Sequence, residues 1–283
     1  MKKSVFTKIL AGFMSAAMIT CAAGRNSAPA ATTAGTSSTP AASASDASLQ
    51  KVLDAKKLIL GLDASFPPMG FTDEANEIVG FDIDVAQEVC SRLGVELVKQ
   101  PINWDNKEED LNLGKIDCIW NGMSINAARA EAMNLSEPYM KNEMIFVVPK
   151  DSPASKIDDL KGCTVGVQRG STAQEILEAS KLYADISETP LEDNVTLLNQ
   201  MELGFSDAVF LDSVVANYYI TENHKDYRVL PDNLEEEEYA IGFRKADQTL
   251  RDKVQETLSA MKADGSLAKI SEKWFGSDVT TVK

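Results

Sequence analysis

Lys115-Ile116-Asp117-Cys118-Ile119-Trp120-Asn121-Gly122-Met123-Ser124-Ile125-Asn126-Ala127-Ala128-Arg129 is the stretch on which the reading of this chain turns. A short apolar run ends at Gly122, a hydroxyl follows at Ser124, and a guanidinium arrives five residues later at Arg129. That order predicts a buried strand running into a loop that gathers a backbone carbonyl, a hydroxyl and a planar cation. A carbonyl suits an ammonium, and the Arg fork takes a carboxylate through two parallel hydrogen bonds. The stretch reads as half of a clamp for a small zwitterion.

Outward from it, helix and strand signals alternate. Leu58 to Leu62 and Val95 to Val98 read as strands. Between them Ala86, Val89, Cys90 and Leu93 share one face of a helix that Asp82 can cap and Gly94 can end. A helix closed by Leu111 and Leu113 leads into the Ile116 strand. This is the βαβ rhythm of a parallel sheet. It restarts with a strand at Thr164 to Val167, a helix at Thr172 to Ala179, a helix at Val195 to Leu203, a strand at Ala208 to Leu211, a helix at Val214 to Ile220 and a short strand at Arg228 to Leu230. A strand over Tyr239 to Phe243 and amphipathic helices over Leu250 to Met261 and Leu267 to Trp274 complete the chain. Leu111-Asn112-Leu113-Gly114-Lys115-Ile116-Asp117 is echoed by Met201-Glu202-Leu203-Gly204-Phe205-Ser206-Asp207. The echo points to two similar lobes facing one cleft.

The second lobe offers the rest of a clamp. Gly170-Ser171-Thr172-Ala173-Gln174 lies where a strand gives way to a helix, with Ser171 and Gln174 at capping-box spacing. Free N–H groups at a helix start suit a carboxylate. Asp212, at the end of the next strand, either caps the following helix or accepts an ammonium. Ligands of open α/β sheets bind beyond the carboxyl ends of strands. Asp63, Gly122, Ser171 and Asp212 all fall there.

These pieces, with Leu62-Asp63-Ala64-Ser65-Phe66-Pro67-Pro68, Gly80-Phe81-Asp82-Ile83-Asp84, Ser136-Glu137-Pro138-Tyr139 and Lys273-Trp274-Phe275-Gly276, form an ordered set over roughly residues 50 to 276. In that set the chain resembles the bacterial extracytoplasmic amino-acid-binding proteins of the polar amino acid ABC-transporter group. The resemblance implies a type II periplasmic-binding-protein-like α/β fold: two lobes, each a mixed, mostly parallel sheet with flanking helices, joined by two crossing strands. Lobe 1 would comprise 49–140 plus 239–283, and lobe 2 141–238, with crossings near Tyr139 to Glu143 and Glu238 to Ile241. It also implies site roles. Arg129, helped by Ser124 and by Ser171 or Thr172, would hold the α-carboxylate. Asp212 and the Gly122 carbonyl would take the α-ammonium. Phe66 and Trp104 would cover the side chain, and Asp63 would line its far end. The ligand is then a polar or basic L-amino acid, with cystine or cysteine open. The partner is a membrane permease of an ABC importer, and the chain works as a monomer without cofactor or metal.

Composition narrows the alternatives. With 28 basic and 43 acidic residues the formal charge is -15. Phosphate binding needs clustered Lys and Arg, so nucleic acid is an unsuitable partner. Cys90, Cys118 and Cys163 match no zinc spacing, and one disulfide among them is open but not indicated. Lys2, Lys3 and Lys8 before an apolar stretch from Ile9 to Ile19, then small residues, have the layout of a signal peptide over 1–23. Residues 24–48 are mostly Ala, Ser, Thr, Gly and Pro, a composition that reads as a tether. Cys21 is therefore read as a lipid-anchor acceptor, placing the protein on the outer face of the cell membrane. Cleavage near Ala22 or Ala23 without lipidation would leave it periplasmic. An enzyme of the same fold acting on a small carboxylic acid, dehydratase-like, is the rival function. The single histidine, His224, reads as an exposed turn and no catalytic set is assigned. A ligand-presenting partner of a sensor is the other rival. Glu235 to Glu238 reads as a solvated face.

Overall fold

A computed structural model of the protein describes residues 46–283. The signal-peptide region, Cys21 and most of the 24–48 tether lie outside the described residues. Strands follow in the order β1 (Lys57–Leu62), β2 (Ser65–Phe66), β3 (Gly70–Thr72), β4 (Ile78–Val79), β5 (Glu96–Pro101), β6 (Cys118–Ile119) and β7 (Met133–Leu135). Then come β8 (Met140–Pro149), β9 (Thr164–Gln168), β10 (Ser187–Leu191), β11 (Ala208–Asp212), β12 (Tyr227–Tyr239) and β13 (Gly242–Arg244).

Two five-stranded sheets carry the architecture, with orders β5-β1-β6-β13-β7 and β10-β9-β11-β8-β12; β2-β3-β4 form a small third sheet. In the first, β1 runs parallel to β5 and β6, while β13 is antiparallel to β6 and β7. In the second, β9 runs parallel to β10 and β11, while β8 is antiparallel to β11 and β12. Position by position the two orders correspond. The protein is thus α/β, two mixed sheets with flanking helices.

The sequence echo has a physical basis in this correspondence. Helices Lys107–Asn112 and Asn194–Glu202 each end just before a glycine, Gly114 or Gly204, with φ of 72° and 78°. Such left-handed turns favour glycine because it lacks Cβ. The chain then reaches Asp117 or Asp207. The Asp117 carboxylate accepts the Ile59 N–H at 3.0 Å, and its own N–H donates to the Ile59 carbonyl at 2.7 Å. Asp207 does the same with Thr164, at 2.7 and 2.8 Å. Each aspartate registers a central strand against its neighbour.

Apolar alternation fills the interior. Leu58, Leu60 and Leu62 of β1 pack with Phe81, Val85 and Val89 of helix Phe81–Leu93. In the second sheet the rings of Phe146 and Phe210 lie 4.4 Å apart. Cys90 and Cys118 are buried free thiols, as small core residues would be. Three local expectations are corrected. Helix Phe81–Leu93 does end at a left-handed Gly94, but Asp82 does not cap it, because its buried carboxylate turns inward to bond elsewhere. The Tyr239–Phe243 run is not one strand: it breaks at Ala240 and Ile241, where the chain passes from one sheet to the other. Glu235–Glu238 is not a uniformly solvated face. It is the end of β12, where side chains alternate sides with period two, so Glu236 and Glu238 are exposed while Glu237 is buried.

The chain crosses between sheets twice, at residues 136–140 and 239–242. Beside these crossings β8 and β12 form one antiparallel ribbon, paired from Met140↔Tyr239 to Met144↔Glu235.

Candidate functional site

The carboxyl ends of β1, β6, β9 and β11 converge from the two sheets on one cavity. Its volume is about 290 Å³, open solvent at its mouth included. Asp63, Phe66, Trp104, Gly122, Ser124, Arg129, Ser171, Thr172 and Asp212, all singled out in the sequence, line it together. Asn121, Met144 and Gln168 complete the lining.

From the first sheet, Arg129 enters on helix Ala127–Ala132, whose start Asn126 caps by accepting the Arg129 N–H at 2.8 Å. Arg129 is 3% exposed. Its Nη1 donates to the Ser124 carbonyl at 2.8 Å, which fixes the fork, and its Nη2 has no partner among the described residues. Burial pulls its affinity for the proton down, and the nearby carboxylates of Glu175, Glu237, Glu108 and Asp212 oppose that. The loop holding it is tightly built. Gly122 has φ of 57°, and a Cβ there would lie 2.7 Å from Cε1 of Phe66. The Gly122 N–H and the Tyr139 hydroxyl both donate to Oδ2 of Asp82, at 2.8 and 2.9 Å. Burial pushes Asp82 up to about 7, against those two bonds.

From the second sheet, Ser171 caps helix Thr172–Ala179: its Oγ accepts the Gln174 N–H at 3.2 Å and donates to the Gln168 carbonyl at 2.7 Å. Oγ1 of Thr172 is buried without a partner among the described residues. Asp212 precedes helix Ser213–Thr221 but makes no capping bond to it. Its Oδ1 instead accepts Asn142 Nδ2 at 2.9 Å and the Tyr239 hydroxyl at 2.6 Å. Burial, and next the negative charge of Glu237, raise its pKa.

At the far end Asp63 accepts the Ser65 N–H at 2.9 Å and Gln168 Nε2 at 2.7 Å. Asn121 accepts the Asp63 N–H at 3.0 Å, leaving its own Nδ2 unpartnered among the described residues. Burial pushes Asp63 up to about 6, while the Gln168 bond works the other way. Phe66 and Trp104 form walls. Lys107 Nζ stands 5.3 Å from the Trp104 ring centroid and reaches across to the Gly170 carbonyl at 2.9 Å. Gln168–Asp63, Asn103–Glu192 at 3.1 Å and Asn126–Glu175 at 2.8 Å bridge the same divide. The halves are closed on one another.

Gln168 carried a legible signal, since it terminates the β9 strand at its carboxyl end. Met144 carried none: it is one apolar residue in a long apolar strand. Glu237, behind the cavity, was hidden in a run of four like charges.

Three carboxylates with raised pKa give a direct expectation. Asp63, Asp82 and Asp212 hold protons more tightly folded than unfolded. Between about pH 4 and pH 7 the native form binds more protons, so ligand-free stability falls as pH rises through that window. Thermal melts of the ligand-free protein should show it less stable at pH 7.5 than at pH 5, by on the order of 5 kcal/mol. A melting point that climbs over this range would contradict the burial of these groups.

The family model described as "Bacterial extracellular solute-binding proteins, family 3" matches residues 58–277. L-cystine-binding protein TcyJ of Escherichia coli is 29% identical over 239 residues, 84% of this chain and 89% of the relative. Arginine-binding extracellular protein ArtP of Bacillus subtilis is 33% identical over 226 residues, 78% of this chain and 86% of the relative. A substrate-binding protein of an ABC uptake transporter from Streptococcus pneumoniae, solved with bound histidine, superimposes with a TM-score of 0.81 at 36% identity, covering 84% of this chain and all of that one.

Proposed function

We propose that this chain, which belongs to the family 3 bacterial extracellular solute-binding proteins, captures a polar or basic L-amino acid, cystine or cysteine included, for a membrane ABC importer. The observation that carries the reading is the cavity's polarity. A buried guanidinium with a free Nη2 faces it from one sheet, and a buried carboxylate, Asp212, faces it from the other. Taking a carboxylate and an ammonium out of water is costly unless both are paired. Arg129 and Thr172 supply donors for the first, and Asp212 with the Gly122 carbonyl supplies acceptors for the second. Asp63, with Asn121, takes the polar end of the side chain, which displaces Gln168 from Asp63. Phe66 and Trp104 bracket the stem. Among the described residues no histidine or cysteine lines the cavity, which favours capture over turnover. The names of the relatives also speak for binding.

In this reading the lobes are 49–140 plus 239–283 and 141–238, and the ligand joins them because its two ends need groups from both. Among the described residues no helix is long and apolar enough to cross a membrane. Cys21 carries a lipid anchor after removal of the signal peptide and tethers the protein beside its permease. A thermal-shift screen over the common L-amino acids and cystine tests the function, because a ligand of the folded state alone raises the melting point. L-Arginine, L-histidine or L-cystine should raise it by several degrees. No response to any amino acid would end the proposal.

A further inference from the structure

Arg129, Thr172 and Asn121 line the cavity, and each has a buried polar atom without a partner among the described residues: Nη2, Oγ1 and Nδ2. The first two belong to the carboxylate end of the clamp. The third does not. Asn121 is 2% exposed, and its Oδ1 accepts the Asp63 N–H at 3.0 Å, which ties its side chain to the far end. That bond also settles the sense of the amide, because only the oxygen can receive an N–H. The nitrogen is therefore the free end. The chain around it offers carbon: a Cβ on Gly70 would lie 2.6 Å from Nδ2 and 3.0 Å from Cδ1 of Leu62. Beside this unmet donor stands its opposite. The Asp63 oxygens accept Ser65 N–H and Gln168 Nε2, one bond each, and keep lone pairs to spare.

We propose that the ligand carries an acceptor as well as a donor at its far end: the donor meets Asp63, and the acceptor receives Asn121 Nδ2. The inference rests on the amino-acid-capture reading and narrows its substrate class. A guanidinium or an ammonium has donors only, so an arginine or lysine side chain would set N–H against N–H at Asn121. A terminal amide or ureido group carries both functions. So does a neutral imidazole, and so does the second amino-acid end of cystine. Gln168 shows half of the arrangement from within the chain. Its Nε2 donates to Asp63 at 2.7 Å, while its oxygen is turned away and held by Asn194 Nδ2 at 3.1 Å. It therefore supplies the donor alone, and a ligand that takes its place on Asp63 has the acceptor still to bring. A buried donor left unmet is costly, and a site built around such a donor discriminates against analogues that cannot satisfy it.

Calorimetry on the wild type at pH 7.5, with probes paired for size, is the test. The pairs are L-citrulline with L-arginine, L-glutamine with L-ornithine, L-histidine with 3-(pyrrol-2-yl)-L-alanine, and L-cystine with the mixed disulfide of L-cysteine and cysteamine. The second member of each lacks the far acceptor, and the pairs separate amide, imidazole and amino-acid ends as its source. In whichever pair binds, the first member should be tighter by about tenfold, the worth of a hydrogen bond whose loss strands a buried donor. A second member within about twofold of its partner, or tighter, overturns the inference and leaves amino-acid capture standing. Asn121→Asp supplies the converse, and the wild-type comparison does not depend on its folding. The variant keeps an oxygen for the Asp63 N–H and turns the free donor into an acceptor. First members should then lose about tenfold, while second members stay within about twofold or gain. Equal losses for both members overturn the inference. A wild type that binds none of these probes counts against amino-acid capture itself, and the inference falls with it.

Discussion

Replacing Arg129 by alanine should weaken amino-acid binding by on the order of 100-fold or more. The guanidinium is almost wholly buried, and one of its two terminal nitrogens is spent on the Ser124 carbonyl. The other is free to meet an incoming carboxylate. Without it the ligand would bury a charged group with only Thr172 and backbone N–H donors nearby. Truncating one partner of a buried, hydrogen-bonded charge pair costs about 2–5 kcal/mol, much of it the penalty of stranding the other charge. We expect about 3 kcal/mol or more here. Calorimetry giving an affinity within about threefold of wild type would remove Arg129 from the clamp. The melting point of the ligand-free variant should change far less than the affinity, because desolvation already opposes the charge in the absence of ligand.

The second large effect is expected at Asp212. Asparagine keeps an oxygen for Asn142 and Tyr239, so the local network survives while the charge is lost. Ligand affinity should fall by about 2–4 kcal/mol, the cost of leaving an ammonium without its buried counter-charge. Stability should move the opposite way. A carboxylate whose pKa is raised by burial destabilises the ligand-free fold at neutral pH, so Asp212→Asn should melt no lower than wild type at pH 7.5. The wild-type affinity should decline toward acid as Asp212 gains its proton, and that decline should flatten in the variant. A variant that binds normally, or one that unfolds, would show that Asp212 serves the fold rather than the ligand.

Much of this was readable before any coordinates. Short, nearly continuous apolar runs at Leu58, Thr164 and Ala208 located the central strands, because a strand buried on both faces leaves little choice of residue. The rule that ligands gather at strand carboxyl ends then selected Asp63, Gly122, Ser171 and Asp212, which do line one cavity. Hydrogen-bond direction was not readable. Asp82 has the spacing of a helix cap, yet its carboxylate holds the Gly122 loop forty residues away. The family resemblance put Ser124 beside the ligand carboxylate, yet its hydroxyl donates to Glu237, more than a hundred residues on. Glu237 itself was masked by its neighbours, since four glutamates in a row look solvated until the strand's alternation separates them. Local patterns specify elements well, but the partner of a buried polar group is chosen by tertiary packing.

The cavity between the sheets has a bearing on time as well as on strength. Its lining comes from both halves, and the Gln168–Asp63 and Lys107–Gly170 bonds span the gap between them, so we expect a bound amino acid to depart once those contacts break. The β8–β12 ribbon is continuous from Glu235 to Tyr239. It can flex as a unit without surrendering its backbone bonds, the behaviour of a hinge rather than of a local unfolding event. Residence time therefore has a floor set by how often that ribbon bends, whatever the identity of the guest. Two ligands of very different affinity would share this clock and differ in how far they hold it shut.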